Sequence, residues 1–218
     1  MLCVVYNKFN LLDPHILHIS YVRHGSYIVL FDIIMTKDLT VINKENLGGW
    51  SISFEMVSDI YSKVPIGSTI LEFGSGNGTK ELLKLYNVIS IEHDITYIGY
   101  AVGSQYIYAP MTDLEHPVVG FKHINKWYDI ERIRKGLENK KYDCIIIDGP
   151  HGSWKKNQGR PGILNYISEF NTNVPIYVDD IVRANKVAHG EDELKLANHL
   201  SKLLNKKLKL TDRFAILD

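Results

Sequence analysis

Between residues 69 and 180, short apolar runs alternate with stretches of helical spacing, and this alternation restricts the fold more than any other feature. The runs are TILEF, VISIE, QYIYA, CIIID and PIYVDD. They are apolar along their length rather than at every second position. Such strands must be covered on both faces, the situation in a parallel sheet flanked by crossover helices. SFEMVSDIYSKV precedes them, with Phe54, Val57, Ile60 and Tyr61 at helical spacing. TKELLKLYN, ITYIGYAVG and YDIERIRKGLENK supply helices between them. EDELKLANHLSKLLN follows, with Leu194, Ala197, Leu200, Leu203 and Leu204 predicted on one face. KLKLTDRFAILD closes as a hairpin of two alternating strands about Thr211 and Asp212. The expected architecture is α/β: a mainly parallel, seven-stranded Rossmann-like sheet ending in an antiparallel hairpin. Ligands then bind at the carboxyl ends of the parallel strands.

The first 45 residues read differently. VVYNKF, ILHISYV and YIVLFDIIM are β-favouring runs broken by Asp-Pro and His-Gly-Ser, which predicts two or three antiparallel strands. A small N-terminal β extension over 1–45 and a main domain over 46–218 are therefore expected, with NLGGWS as a loop at the junction. The extension would shape an acceptor cleft, form the edge of a homodimer, or be a remnant of a larger polyprotein-like arrangement.

Charge narrows the function classes. Twenty-five basic and 25 acidic residues balance, which argues against a dedicated nucleic-acid binder and gives no reason to invoke an anionic membrane. No segment approaches the roughly 18 apolar residues of a membrane helix, and MLCVVYNKFN lacks the features of a signal peptide. Cys3 and Cys144 lie far apart, and Cys144 sits in an apolar run, so reduced buried thiols are expected. A cytoplasmic protein is the expectation.

LEFGSGNGTKEL joins the first strand to the next helix. Gly74, Gly76 and Gly78 allow a sharp turn and close approach of a ligand to the backbone, and the following helix offers free N–H groups. A phosphate-cradling loop needs G-x-x-x-x-G-K-[ST], a frame that Lys80 lacks. A dinucleotide loop needs G-x-G-x-x-G, and here the third glycine comes one residue early. Glu72 would repel a pyrophosphate but suits a cationic amino group. LEFGSGNG with SIEHD resembles motifs I and II of the class I S-adenosylmethionine (SAM)-dependent methyltransferases, over most of the chain from about residue 50. The resemblance implies that Glu72 and the backbone of Gly74, Ser75, Gly76 and Gly78 hold the methionine part, and Glu92 the ribose. His93 and Asp94 would flank the adenine, and Trp50 and Ser51 would close over the cofactor. A core position for Trp50 stands as the alternative.

The strand CIIID runs into Gly149, Pro150 and His151, and the strand PIYVDD ends in Asp179 and Asp180. Parallel pairing brings these three aspartates to one rim, where their repulsion calls for a cation. Oxygen ligands suit Mg²⁺, Mn²⁺ or Ca²⁺. His151, with an ordinary imidazole pKa of about 6.5, would reach the same space as a general base. Taken singly, each residue has a plainer reading: a turn at Asp148, a cap at Asp179 or Asp180, a surface loop at His151.

Together they resemble the metal site of divalent-cation-dependent O-methyltransferases, a group that includes catechol and macrolide-sugar enzymes. IIIDGPHGSWKKNQGRPGIL further resembles the DGP-x-G…PGR stretch of glucuronoxylan 4-O-methyltransferases, and IEHD their EED-type loop, although here the order is Gly159-Arg160-Pro161. The resemblance implies a metal held by Asp148, Asp179 and Asp180, and catalysis by Asp148 and His151. It also implies SAM as cofactor and a sugar or glycan hydroxyl as acceptor. Arg160 would contact that acceptor or pair with surface acids, and Arg183 is a nearby basic residue for the same contact. Lys155 and Lys156 read as solvated surface. A catechol-like phenol as acceptor, a non-catalytic SAM-fold module and a dinucleotide oxidoreductase remain as alternatives.

Overall fold

A computed structural model describes residues 21–24, 27–30, 39–152, 156–182 and 191–218. The chain divides into two units, Met1–Thr40 and Val41–Asp218. In the first, strands β1 (Tyr21–His24) and β2 (Tyr27–Leu30) pair antiparallel, with Tyr21 opposite Leu30. The other early β-favouring runs, and Cys3, lie outside the described residues.

The second unit begins with helix α1 (Phe54–Lys63), whose first turn is capped by Ser53 Oγ accepting from Met56 N at 3.2 Å. Met56, Val57 and Ile60 carry its buried face. Strand β3 (Thr69–Phe73) leads through the glycine turn to a short helix α2 (Asn77–Leu82), followed by β4 (Asn87–Glu92) and β5 (Gln105–Tyr108). A small antiparallel ribbon, β6 (Met111–Asp113) with β7 (Lys126–Tyr128), comes next and was not foreseen in the sequence. Helix α3 (Ile130–Leu137), capped by Asp129, leads to β8 (Cys144–Ile147) and then β9 (Ile176–Val178). Helix α4 (Glu191–Leu204) and the hairpin of β10 (Leu208–Leu210) and β11 (Ala215–Leu217) complete the unit.

Seven strands form one sheet in the order β10-β11-β9-β8-β3-β4-β5. β9, β8, β3, β4 and β5 run parallel, and β11 enters antiparallel between β9 and β10. This is the expected mainly parallel, seven-stranded Rossmann-like sheet with its antiparallel hairpin. All four residues of β8 are buried, as an apolar strand at the centre of a doubly covered sheet requires. The main core joins Phe73, Trp127, Tyr128 and Phe170 to the β8 and β9 side chains. Among the described residues no helix is long and apolar enough to cross a membrane.

Two helices depart from expectation. ITYIGYAVG forms only a 3₁₀ turn at Ile95–Tyr97. Gly99 and Gly103 adopt φ of +81° and +105°, which breaks a right-handed helix, and Ile95 and Val102 face solvent rather than a core. In α4 the predicted face holds at Ala197 and Leu200, which are buried, and at Leu194 and Leu204, which pack against the core, but Leu203 is 61% exposed and Glu193 and Leu196 join the buried side.

Candidate functional site

The glycine turn rests on a chain of hydrogen bonds beneath it. Gly76 N donates to Thr79 Oγ1 at 2.9 Å, and Thr79 Oγ1 donates to Glu72 Oε1 at 2.7 Å. Ser90 Oγ donates to the same Glu72 oxygen at 2.6 Å. Glu72 is 5% exposed, and burial, with the nearby Asp148 and Glu92 charges, outweighs these bonds and pushes its carboxyl up to about 8. Above the turn, Gly74 adopts φ of +91°, and a Cβ there would stand 3.1 Å from Gly149 N. The turn therefore lies directly against the end of β8. A Cβ on Gly78 would meet Ile52 Cγ1 at 2.7 Å and Ser51 Oγ at 2.9 Å, so this glycine admits the 51–52 segment against α2.

Glu92, at the end of β4, clamps two loops. Its Oε2 accepts from Ser75 N at 3.0 Å and Ser75 Oγ at 3.1 Å, and its Oε1 from His93 N at 2.7 Å and Asp94 N at 2.8 Å. His93 Nδ1 stands 3.0 Å from Oε1. Burial opposes the charge, yet His93 and the backbone N–H groups hold this carboxyl below its ordinary value. Two carboxylates on adjacent strands thus shift in opposite directions: burial prevails at Glu72, and His93 with the backbone N–H groups prevails at Glu92.

The second half of the site is a carboxylate–guanidinium network. Asp148, Asp179 and Asp180 offer carboxylate oxygens within 4.8 Å of one another. Arg160, 3% exposed, donates from Nη2 to Asp148 Oδ1 at 3.0 Å and Asp180 Oδ2 at 2.9 Å, and from Nη1 to Glu193 Oε1 at 2.8 Å. Arg213 Nη2 donates to Asp179 Oδ2 at 3.4 Å, and it stands 3.7 Å from Asp180 Oδ1. The same nitrogen donates to Ser51 O at 2.6 Å and Gly49 O at 3.1 Å. Burial raises the Asp148 carboxyl against the pull of Arg160, and raises Asp179 with the Asp148 and Asp180 charges adding to it. Asp180 holds φ of +62°, a conformation uncommon outside glycine that aims its carboxylate back toward Arg160.

These parts border one cavity of about 630 Å³. Of the residues singled out in the sequence, Trp50, Ser51, Gly74, Ser75, Gly76, Glu92, His93, Asp94, Asp148, His151, Arg160 and Asp180 line it. Glu72 and Gly78 do not: one supports the turn from below, and the other packs under Ile52. Asp179 is fully buried behind the rim. Trp50 is no core residue, being 81% exposed with its ring edge-on to His151 at 5.4 Å. Arg160, expected to face an acceptor, has its guanidinium engaged by three carboxylates. Arg183 and Lys155 lie outside the described residues. Lys156 is exposed.

Sequence reasoning missed Tyr128, Glu193 and Arg213. Arg213 had a usable signal, since it precedes the hairpin strand that pairs with β9 and so stands beside the Asp179-Asp180 end. Tyr128 had none, because it arrives through the unforeseen ribbon.

No family model and no curated protein matches the chain. Among solved structures, MycE methyltransferase from the mycinamycin biosynthetic pathway, in complex with Mg and SAH (S-adenosylhomocysteine), is similar over 79% of this chain and 51% of that one, at 9% identity and a TM-score of 0.46. A complex of MycE with Mg, SAH and mycinamycin VI is similar over 75% and 47%, at 11% identity and a TM-score of 0.41. The chain spans about half the length of these proteins.

Proposed function

We propose that the chain is a SAM-dependent, divalent-metal-assisted O-methyltransferase acting on a sugar or glycan hydroxyl. The observation that carries this reading is the meeting of a glycine turn, a strand-end glutamate and a three-aspartate cluster around one cavity. Its volume of about 630 Å³ is within the range of small-molecule sites.

The residues fit both groups. The wall formed by Gly74, Ser75, Gly76 and Asn77 is mostly backbone, and a Cβ at Gly76 would meet nothing within 4 Å. Ser51 Oγ at the same cavity is buried without a hydrogen-bond partner, as a group awaiting a polar ligand would be. At the other end, four carboxylates (Asp148, Asp179, Asp180 and Glu193) face two guanidiniums (Arg160 and Arg213) among the described residues. The two charges left over, on oxygen ligands, suit Mg²⁺ or Mn²⁺.

When bound, SAM supplies an electrophilic methyl group, and a divalent cation supplies the Lewis acidity that makes an acceptor hydroxyl easier to deprotonate. Asp148, Asp179 and Asp180 would hold the cation, and Arg160 and Arg213 keep those carboxylates in register. Glu92 would take the ribose hydroxyls in exchange for Ser75 Oγ, the hydroxyl among its donors. His93 and Asp94 would flank the adenine. His151 would accept the acceptor's proton, and Trp50 and Ser51 would limit water at the mouth. Arg183 is assigned to the acceptor.

The test is calorimetry with SAH, with and without Mn²⁺, followed by methyl transfer to a panel of glycosides. Asp148→Asn should keep SAH binding and lose transfer. No binding of SAH by the wild-type protein overturns the reading. A phenolic acceptor is the second reading, favoured by the exposed aromatic lining of Trp50, Tyr97 and Tyr100. Catechols belong in the same panel, and faster transfer to them than to any glycoside would decide for it.

A further inference from the structure

Tyr128 ends β7 and is 1% exposed, yet its hydroxyl is buried without a hydrogen-bond partner. Buried hydroxyls are almost always paired, so this one calls for an explanation. It lines the cavity, at the seam where Gly74 meets Gly149: a Cβ on Gly149 would collide with the Tyr128 oxygen and with the Gly74 backbone. The ring stands edge-on to His93 at 5.8 Å and beside Phe73 at 6.0 Å. Its place is thus between the strand-end carboxylates Glu92 and Asp148, on the side of His93.

Burial and the charges of Glu92, Asp148 and Glu72 hold this phenol protonated, so it is a donor lacking an acceptor. The same carboxylates restrict what that acceptor is. A carboxylate or phosphate brought here adds negative charge beside Glu92 and Asp148, whereas a ribose oxygen or a purine ring nitrogen adds none. We propose that the Tyr128 hydroxyl donates a hydrogen bond to a neutral acceptor on the nucleoside of the bound ligand and so fixes a nucleoside subsite. The proposal rests on the SAM reading. It also gives a reason for the cavity to reject a pyrophosphate-bearing dinucleotide.

Tyr128→Phe removes the oxygen and keeps the ring, so its effect separates binding from folding. Melting of the unliganded protein, and calorimetry with SAH and with adenosine, are compared for wild type and variant. A buried donor without a partner predicts that the unliganded variant melts at the wild-type temperature or above. Both SAH and adenosine should bind about 3- to 10-fold more weakly, the range of one net hydrogen bond. Equal binding by the two proteins overturns the assignment and leaves the SAM reading standing. Loss for SAH but not for adenosine overturns the nucleoside subsite. A lower melting temperature of the unliganded variant shows that the hydroxyl has a structural partner and overturns it too. A wild-type protein that binds neither compound overturns both the SAM reading and the subsite.

Discussion

Arg160→Met exposes the electrostatic design of the site. The methionine keeps much of the side-chain volume and removes the guanidinium that serves Glu193 Oε1 at 2.8 Å, Asp180 Oδ2 at 2.9 Å and Asp148 Oδ1 at 3.0 Å. Glu193 and Asp180 side chains are 5% and 6% exposed and keep almost no water to replace it, while Asp148, at 27%, retains some. Removing one side of a buried ion pair costs about 3–5 kcal/mol. For a domain of this size that lowers the melting temperature by about 6–20 °C. The local balance passes from four acids against two arginines to four against one.

Two dependences follow. Glu193, Asp148 and Asp179 all have carboxyls raised by burial. An acid with a higher pKa folded than unfolded binds its proton more tightly in the folded state, so its stability contribution grows as pH falls through the folded value. Arg160→Met raises these acids further, so its deficit should be largest near pH 8 and shrink toward pH 5.5. Mn²⁺ at millimolar concentration should restore part of it at pH 8. The assay is thermal unfolding across that pH range with and without Mn²⁺. A loss under about 2 °C at pH 8, or a loss independent of pH, refutes the charge-balance argument.

Glu72→Gln keeps a carbonyl to accept from Ser90 and Thr79 and removes the titration. The wild-type carboxyl, at about 8 against 4.5 unfolded, lowers stability by up to about 5 kcal/mol as pH climbs from 4.5 to 8. Urea titrations at pH 5 and 8 should show a smaller fall in the variant, and parallel falls would place the dependence elsewhere. Gly78→Ala puts a methyl group 2.7 Å from Ile52 Cγ1, and overpacking of this kind costs about 1–3 kcal/mol. Weaker SAH binding should accompany it through the displaced Ser51, and an unchanged denaturation midpoint counts against the tight approach. His151→Gln should lower kcat by about 100- to 10,000-fold with SAH affinity unchanged, as loss of a general base does. Steady-state rates near pH 7 measure it, and full activity removes His151 from the mechanism.

The parallel strands of the main sheet were legible because TILEF, VISIE and CIIID are apolar on both faces, and only a doubly covered sheet accepts such runs. The helix read into ITYIGYAVG failed because apolar content outweighed two glycines whose φ no helix tolerates. At the site, the residue types at the strand ends were readable, since Glu92, Asp148 and Asp180 follow directly from where each strand stops. Their partners were not. Arg160 reads as a surface cation next to Gly159 and Pro161, and only the packing of α4, which brings Glu193 to it, turns it into the hub of a buried network. Glu72 resembled a ligand contact in one dimension. The fold turns it under the loop, where it meets Thr79 and Ser90.

The bonds from Arg213 to Ser51 O and Gly49 O span 162 and 164 residues of sequence, and those to Asp179 span 34. No local segment can assemble this edge, and contacts of such separation are of the kind that slows folding. One guanidinium also joins the loop that carries Trp50 to the carboxylates at the ends of β9. The loop at the mouth of the cavity and the aspartates at the rim are therefore tied to one side chain contributed by the C-terminal hairpin.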